Sequence, residues 1–242
     1  MTACTNLVSK ERMPTTGAKE KRSFEFLSLS LLLGLATAIA ALIFFSWLTD
    51  EVLEGETRHF DEVTRAAVHQ LASPLLTAIM RGFSFVGSTI SLTLATTFVV
   101  IRFVMRKLGR EAKLFAVTMI GAALLNATLK LTFKRARPEP FFNLTLPETY
   151  SFPSGHSLMS ACFFGALAAI LTARIKSKRV RVAIWIVSAL MFLIIGFSRI
   201  YLGVHHTTDV IAGFVGALIW ILVVRFVEMH LARRTQRKMR QD

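Results

Sequence analysis

The sequence predicts an all-α membrane protein in which six transmembrane helices form a bundle, and three observations support that class. Hydrophobic residues make up 53% of the 242 residues and charged residues only 18%, whereas soluble domains average about 45–50% and about 25%. Six separate runs of the chain contain no charged residue. Lys and Arg outnumber Asp and Glu by 29 to 15, a basic excess typical of the cytoplasmic loops of membrane proteins. This composition excludes a disordered chain and argues against an ordinary soluble enzyme.

The six uncharged runs define the predicted spans. A bilayer core requires about 20 residues of helix, with a range of about 17–25. The first two runs meet this length, whereas the last four are short by this rule, so charged residues beside them must lie within or next to the core. The first run is longer than the apolar region of a signal peptide, and no small-residue cleavage site follows it, so we expect a retained span. The runs cover residues 26–48, 82–101, 114–129, 157–173, 182–198 and 210–224.

Positive charges predict the orientation of the spans. If the six runs alternate in direction, 21 of the 29 Lys and Arg residues fall on one side, and that side is cytoplasmic because such residues collect there. We therefore expect cytoplasmic basic tails over 1–22 and 230–242, with a six-span domain over 23–229 between them. Residues 49–81 face outward in this arrangement, and we expect residues 71–80 to lie along the interface as a short amphipathic helix.

Ionisable residues collect where the four short runs meet the outer side. Alternating topology places Lys130, His156, Arg199 and Asp209 at these four ends. Ionisable groups at membrane depth are energetically costly and are functional-site candidates. A single Lys or Arg at a helix end can instead anchor the helix by reaching the interface, but this explains a cluster at four ends less well.

The first of these groups is basic. Lys130 and Arg137 stand seven residues apart, directly before Pro138. Seven residues make two helical turns, so both side chains could lie on one face of a helix that Pro138 ends. Arg offers a planar fork that matches phosphate oxygens, and Lys offers a point charge. Taken alone, this cluster is weak support for an anion site.

The second group precedes the fourth run. Pro153 and Gly155 predict a tight turn into a helix, and the N-terminus of a helix binds anions through its free N–H groups. Ser154 could simply cap that helix. His156 could donate a proton to a leaving group, or it could be an ordinary interfacial residue.

The third group follows Arg199 and contains a histidine–aspartate pair. His205 lies four residues and His206 three residues before Asp209, and either spacing places a pair on one helical face. An Asp that accepts a hydrogen bond from one imidazole nitrogen leaves the other as a base or nucleophile, and spacing alone does not choose between the two histidines. Cations, backbone donors, a nucleophile and an acid together suit phosphoryl transfer.

The three segments resemble the signature motifs of the type 2 phosphatidic acid phosphatase superfamily. They read Lys-x6-Arg-Pro from Lys130, Pro-Ser-Gly-His ending at His156, and Ser-Arg-x5-His-x3-Asp ending at Asp209. The resemblance implies that His205 is the nucleophile that forms a phosphohistidine, that Asp209 orients it, and that His156 is the general acid. The resemblance also implies phosphate binding by Lys130, Arg137, Ser154, Gly155 and Arg199.

One departure from the family pattern is visible. After His205 the chain has His206 and Thr207, where an aromatic residue and a proline are common in the family. This difference concerns the rim of the site and substrate preference rather than the core roles.

The resemblance implies an integral-membrane hydrolase of lipid phosphates or diphosphates that uses no metal or other cofactor. Candidate substrates are undecaprenyl diphosphate, phosphatidylglycerol phosphate, phosphatidic acid and lipid A phosphates. It implies a bacterial inner membrane, an outward-facing site, contacts with membrane lipids and no nucleic acid partner, and it leaves the oligomeric state open. A vanadium haloperoxidase is discounted because that branch is soluble. A phosphotransferase with the same intermediate remains an alternative, as does a lipid-phosphate transporter, although the two histidines and the Asp argue against a mere binder.

Overall fold

Helices form all the regular secondary structure in the residues that a computed structural model of the chain describes, which are 16–145 and 149–238. The predicted basic tails therefore lie outside the described residues over 1–15 and 239–242. From Ala40 onward the chain forms one compact unit, and residues 1–39 form another, of which the first part of the first helix is described. The helices are α1 (Thr16–Glu54), α2 (Arg58–His69), α3 (Pro74–Val86), α4 (Thr89–Met105), α5 (Gly109–Phe133), α6 (Gly155–Thr172), α7 (Lys178–Tyr201) and α8 (Thr207–Lys238).

The helices confirm the predicted polytopic membrane fold. Five described segments are long and apolar enough to cross a bilayer, and α3 and α4 together give a sixth when their bent pair is counted as one span. The short uncharged runs are extended in the structure by charged residues at their ends. For example, α5 has 25 residues and α7 has 24, so both exceed the length of about 20 residues that spans a bilayer core.

The second predicted span is not one continuous helix. The uncharged run over 82–101 is broken at Gly87 and Ser88, and the axes of α3 and α4 differ there by 51°. Ser88 is the N-cap of α4, and its side-chain oxygen accepts a hydrogen bond from the backbone N–H of Ser91 at 3.2 Å. A serine whose side chain accepts from a free N–H stabilises the start of a helix. Hydropathy does not predict this break, because the run is uncharged throughout.

The expected helix over 71–80 is also placed differently. The helix of the outer segment is α2, which ends at His69, whereas residues from Pro74 onward already belong to α3. Ser73 caps α3 by accepting from the N–H of Leu76, and Pro74 occupies its first turn, where a missing N–H is tolerated. The interfacial location of this region stays a prediction.

Helix α6 holds the centre of the bundle and packs against α5, α7 and α8. Its side chains Leu158 and Cys162 are fully buried and share one apolar cluster with Phe115 of α5. Gly213 lets α8 approach the start of α6, because a Cβ at this position would lie 2.7 Å from the carbonyl oxygen of Ser154. This close approach brings the beginnings of α6 and α8 together. Five of the predicted site residues lie at or just before these two helix starts: Ser154, Gly155, His156, His205 and Asp209.

Candidate active site

A cavity of about 650 Å³ opens where the three motif segments meet. Six of the eight predicted site residues line it, and the other two, Ser154 and Asp209, are fully buried and are not among its described lining residues. The six are Lys130, Arg137, Gly155, His156, Arg199 and His205. The structure therefore brings together residues that are separated by up to 75 positions in the sequence.

Lys130 and Arg137 reach the cavity by a different route from the one expected. Lys130 lies in the last turn of α5, but the helix ends at Phe133 because Lys134 adopts a left-handed conformation with φ of 47°. Arg137 is therefore not on the same helical face, and Pro138 does not end the helix. The non-helical segment after Lys134 returns toward α6 instead, where the N–H of Ser151 donates to the carbonyl oxygen of Arg135 at 2.9 Å.

Three cations line the cavity, and we call them the cavity cations: Lys130, Arg137 and Arg199. None of them forms an ion pair with a carboxylate of the described residues. Lys130 donates to the carbonyl oxygens of Tyr150 and Ser151. Arg137 Nε donates to the carbonyl oxygen of Thr149 at 2.7 Å, and an Arg199 Nη donates to the Ser84 hydroxyl.

Burial lowers the pKa of the Arg137 guanidinium from its usual value, partly offset by the negative charge of Asp209. Arginine remains protonated at physiological pH, so this positive charge persists. The cavity cations therefore present charge that backbone dipoles and hydroxyls solvate but that forms no ion pair with a carboxylate of the described residues, an arrangement that suits an anion site.

His205 is held in one tautomer by its two neighbours. Its Nδ1 lies 3.2 Å from Asp209 Oδ2, and its Nε2 lies 3.2 Å from Arg137 Nη1. A guanidinium can only donate, so Nε2 accepts and Nδ1 carries the proton that is donated to Asp209. Burial lowers the pKa of His205 to about 3, and the imidazole is neutral at physiological pH. Its Nε2 lone pair is directed at Arg137, which lines the cavity together with His205.

The structure separates the two histidines that the spacing left equivalent. His205 precedes α8, which begins at Thr207, so the expected shared helical face is wrong although its contact with Asp209 is present. The ring of His206 is not among the described lining of the cavity. His206 contributes its backbone N–H, which donates to Asp209 Oδ2 at 3.0 Å.

The sequence left two interpretations of the turn before α6: a cap formed by Ser154, and a binding site for an anion. Ser154 is the N-cap of α6, and its side-chain oxygen accepts from Ser157, so the simple capping interpretation describes its hydroxyl. Its backbone N–H donates to the carbonyl oxygen of Asp209 at 2.9 Å. Gly155 and His156 follow in the first turn and line the cavity. A phosphate contact by Ser154 stays a prediction.

Three residues that sequence reasoning missed, Asp61, Arg135 and Thr208, form a hydrogen-bonded group with Asp209 of the histidine–aspartate pair. Arg135 donates to Asp209 Oδ1 at 2.6 Å and to Asp61 Oδ2 at 2.8 Å. Asp61 also accepts from the backbone N–H of Thr208 at 2.9 Å and from its hydroxyl at 2.8 Å. We call Asp61, Arg135, Thr208 and Asp209 the buried ion-pair cluster, since both carboxylates are at most 1% exposed.

The sequence signal for this cluster differs between its members. Arg135 stands inside the first motif segment, between Lys130 and Arg137, so its position could have marked it. Asp61 lies in the acidic outer segment, 148 residues from Asp209, and its local pattern does not distinguish it from its neighbours. Only the packing of α2 against α8 brings it to the site.

The fold and the site together define a class: a helical integral membrane protein with a cation-lined cavity beside a buried histidine–aspartate pair. A family model described as the PAP2 superfamily matches residues 111–232. Phosphatidylglycerophosphatase B of Bacillus subtilis is 31% identical over 194 residues, which cover 78% of this chain and 94% of that protein. The chain belongs to the PAP2 superfamily, as its three motifs predicted.

Two further matches agree with this assignment. An undecaprenyl-diphosphatase of Sulfolobus acidocaldarius is 33% identical over 113 residues, which cover 45% of this chain and 49% of that protein. The crystal structure of a transmembrane PAP2-type phosphatidylglycerolphosphate phosphatase from Bacillus subtilis superposes with a TM-score of 0.74 at 27% identity, covering 80% of this chain and 96% of that one. The predicted family and the predicted enzyme class, a phosphoric ester or diphosphate hydrolase, are confirmed.

Proposed function

We propose that the protein is an integral-membrane phosphatase that hydrolyses a lipid phosphate or diphosphate through a phosphohistidine, without a metal ion. One observation carries the proposal: His205 lines a cavity together with His156 and the cavity cations, and its ring is oriented by Asp209 at Nδ1 so that Nε2 is the unprotonated nitrogen. A neutral, oriented imidazole beside unneutralised cations suits attack on a phosphate.

In the first step the cavity cations hold the equatorial phosphate oxygens. His205 Nε2 attacks phosphorus, a P–N bond forms, and the bond from phosphorus to the leaving oxygen breaks with its electron pair on that oxygen. His156 gives the leaving oxygen a proton. Asp209, which accepts from Nδ1, stabilises the positive charge that develops on the His205 ring.

In the second step water replaces the leaving group. His156, now without its proton, accepts one from the water, whose oxygen attacks phosphorus as the P–N bond breaks. Inorganic phosphate leaves, His205 regains its neutral form and His156 its proton. Because the same residue serves as acid and then as base, both histidines are needed in each turnover.

The substrate and the cellular setting are proposals as well. The relatives are named for phosphatidylglycerophosphate and for undecaprenyl diphosphate, and both compounds carry the anionic phosphate that this cavity suits. The balance of Lys and Arg supports cytoplasmic termini and an outward-facing site, and we propose a bacterial inner membrane as the location.

The test is a phosphate-release assay on purified protein in detergent, with prenyl diphosphate, phosphatidylglycerol phosphate and phosphatidic acid. We expect release in the presence of EDTA, a trapped phosphohistidine, and complete loss of both in His205→Asn. His206→Asn is the matched control, since its ring is not in the described cavity lining, and it retains activity. EDTA-sensitive release that survives His205→Asn would falsify the proposal, and product formed only with an added acceptor would indicate a phosphotransferase.

A further inference from the structure

A second, smaller cavity adjoins the main one on the side of His156. Its volume is about 320 Å³, at the lower end of the range of about 300–1,000 Å³ for small-molecule sites. Ser88, His156 and Arg199 line both cavities, so the two meet at the general acid of the proposed mechanism. Arg81 and Ser84 line only the smaller one.

The smaller cavity is positively charged. Arg81 and Ser84 are three residues apart on α3 and therefore share a helical face. Arg199 extends to this face, where it donates to the Ser84 hydroxyl, while its Nε is buried without a hydrogen-bond partner among the described residues. Arg81 is exposed and has no ion pair within the described part of the chain. No Asp or Glu is among the described residues that line either cavity.

The geometry of the reaction assigns a direction to this second cavity. In phosphoryl transfer the attacking and leaving atoms stand roughly in line on opposite sides of phosphorus. In the proposed mechanism His205 attacks on one side of phosphorus and His156 protonates the leaving oxygen on the other, so the group attached to that oxygen lies on the His156 side. His156 also lines the smaller cavity, and this cavity is therefore placed to receive the part of the leaving group next to the broken bond.

We propose that the smaller cavity binds a second phosphate, carried by the leaving group and held by Arg81 and Arg199. This inference rests on the proposed function and makes two classes preferred over phosphatidic acid: lipid diphosphates, and phosphomonoesters whose leaving alcohol carries a phosphodiester. With a diphosphate, the His205–phosphorus bond forms and the bridging P–O bond breaks. The electron pair remains on the bridging oxygen of the departing lipid monophosphate, which His156 protonates.

Phosphatidic acid separates this site from the catalytic one, because its leaving group is diacylglycerol and carries no phosphate. In Arg81→Gln we expect kcat/KM to fall about tenfold for a prenyl diphosphate, the change typical of one lost charge-assisted hydrogen bond. The value for phosphatidic acid stays within about twofold of the wild type in the same variant. Arg58→Gln, which alters an exposed arginine on α2 outside both described cavities, leaves the ratio of the two values unchanged.

Phosphatidylglycerol phosphate distinguishes the two sources of a second phosphate. A fall for both this lipid and the prenyl diphosphate shows that the cavity accepts either a phosphodiester or a phosphate monoester. A fall for the diphosphate alone restricts the class to diphosphates. Either result supports a second phosphate site.

An inhibition experiment tests binding without depending on turnover of the diphosphate. Methylenediphosphonate and methylphosphonate are compared as inhibitors of phosphatidic acid hydrolysis. We expect the diphosphonate to inhibit about tenfold more strongly in the wild type, with the advantage lost in Arg81→Gln.

Two results overturn this inference: an equal fall on all three lipids, or no change on any lipid together with an unchanged diphosphonate advantage. Failure of the proposed function looks different, since the wild type then releases no phosphate or His205→Asn leaves release intact.

Discussion

Arg135 and the cavity cations belong to the same end of the bundle but have opposite surroundings. Arg135 is clamped between Asp61 and Asp209 at 2.8 and 2.6 Å. Arg137, two residues later in the chain, donates to backbone carbonyls, to the Thr149 hydroxyl and to the imidazole of His205. A paired cation holds protein groups together, whereas a cation without a carboxylate partner remains able to bind an external anion.

The comparison divides the site into a supporting part and a reacting part. The buried ion-pair cluster holds Asp209 from behind, so that its Oδ2 faces His205 Nδ1 and the backbone N–H of His206. The cavity cations line the cavity together with His205, where the proposed function has the phosphate bind. Substitutions in the cluster should therefore affect stability first, and substitutions of the cavity cations should affect turnover first.

The largest effect is expected from Arg135→Ala. It leaves Asp61 and Asp209 buried without their cation, and removing one member of a buried ion pair costs about 3–5 kcal/mol in the free energy of unfolding. Thermal or denaturant unfolding in detergent measures the loss. A variant as stable as the wild type would contradict the supporting role of the cluster.

Arg137→Ala should reduce turnover more than stability, in contrast to Arg135→Ala. We expect kcat/KM to fall by about 10²-fold or more, as when one preorganised donor to a developing charge is removed. The free energy of unfolding should fall less than in Arg135→Ala, by about 1–3 kcal/mol, since hydrogen-bond acceptors lose a donor but no carboxylate in the described structure loses a partner. Arg58→Ala on α2 is the control for removal of an arginine charge. A large loss of stability with normal turnover of the folded fraction would reverse the assignment.

Asp61→Asn tests whether the cluster also positions the nucleophile. The amide removes one of the two negative charges that Arg135 contacts. Arg135 then interacts more strongly with Asp209, which weakens the hydrogen bond between Asp209 and His205. We expect about 1–3 kcal/mol of lost stability and a lower kcat per folded molecule with an unchanged KM.

Glu62→Gln, at the exposed neighbouring position on α2, is the matched control for Asp61→Asn. A purely structural role for Asp61 would lower the yield of folded protein and leave kcat per folded molecule unchanged.

The smallest effect is on the pH dependence of stability. Burial lowers the pKa of His205 to about 3, whereas an unfolded chain titrates near 6.5. Between these two pH values the unfolded state binds more protons than the folded state. The contribution of His205 to the free energy of unfolding is therefore fully present above about pH 6.5. It falls as the pH decreases, by at most about 1.4 kcal/mol per pH unit.

Unfolding of the wild type and of His205→Asn at pH 7 and pH 5 measures this contribution. The wild type should lose more stability over the interval. His206→Asn must be run beside them, since burial also lowers the pKa of His206. Equal losses in the wild type and in His205→Asn would show that His205 does not titrate differently in the folded protein.

The sequence predicted the features that local patterns encode. Uncharged runs identify helices long enough for a bilayer because hydropathy is a property of consecutive residues. Lys130, His156 and His205 could be found because they belong to family motifs whose residues stand at fixed spacings. The structure brings six of the eight predicted residues to one cavity.

The features that the sequence did not predict depend on contacts between distant residues or on one backbone conformation. Lys134 adopts a left-handed conformation and ends α5 early. A lysine in the sequence does not predict that conformation. Asp61 joins the site through hydrogen bonds with Arg135 and Thr208. Both residues lie more than seventy positions away in the sequence, and periodicity within one sequence does not predict such contacts. The break before Ser88 lies in an apolar run where hydropathy favours continuity.

The contact between Arg137 and His205 has one consequence for chemical selectivity. The lone pair of Nε2 that would attack phosphorus is the one that the guanidinium holds at 3.2 Å. In the proposed mechanism a bound phosphate replaces Nε2 as the acceptor of this guanidinium, which frees the lone pair to attack the same molecule. A neutral electrophile is a weaker acceptor for Arg137, so on this mechanism the contact selects for anionic substrates.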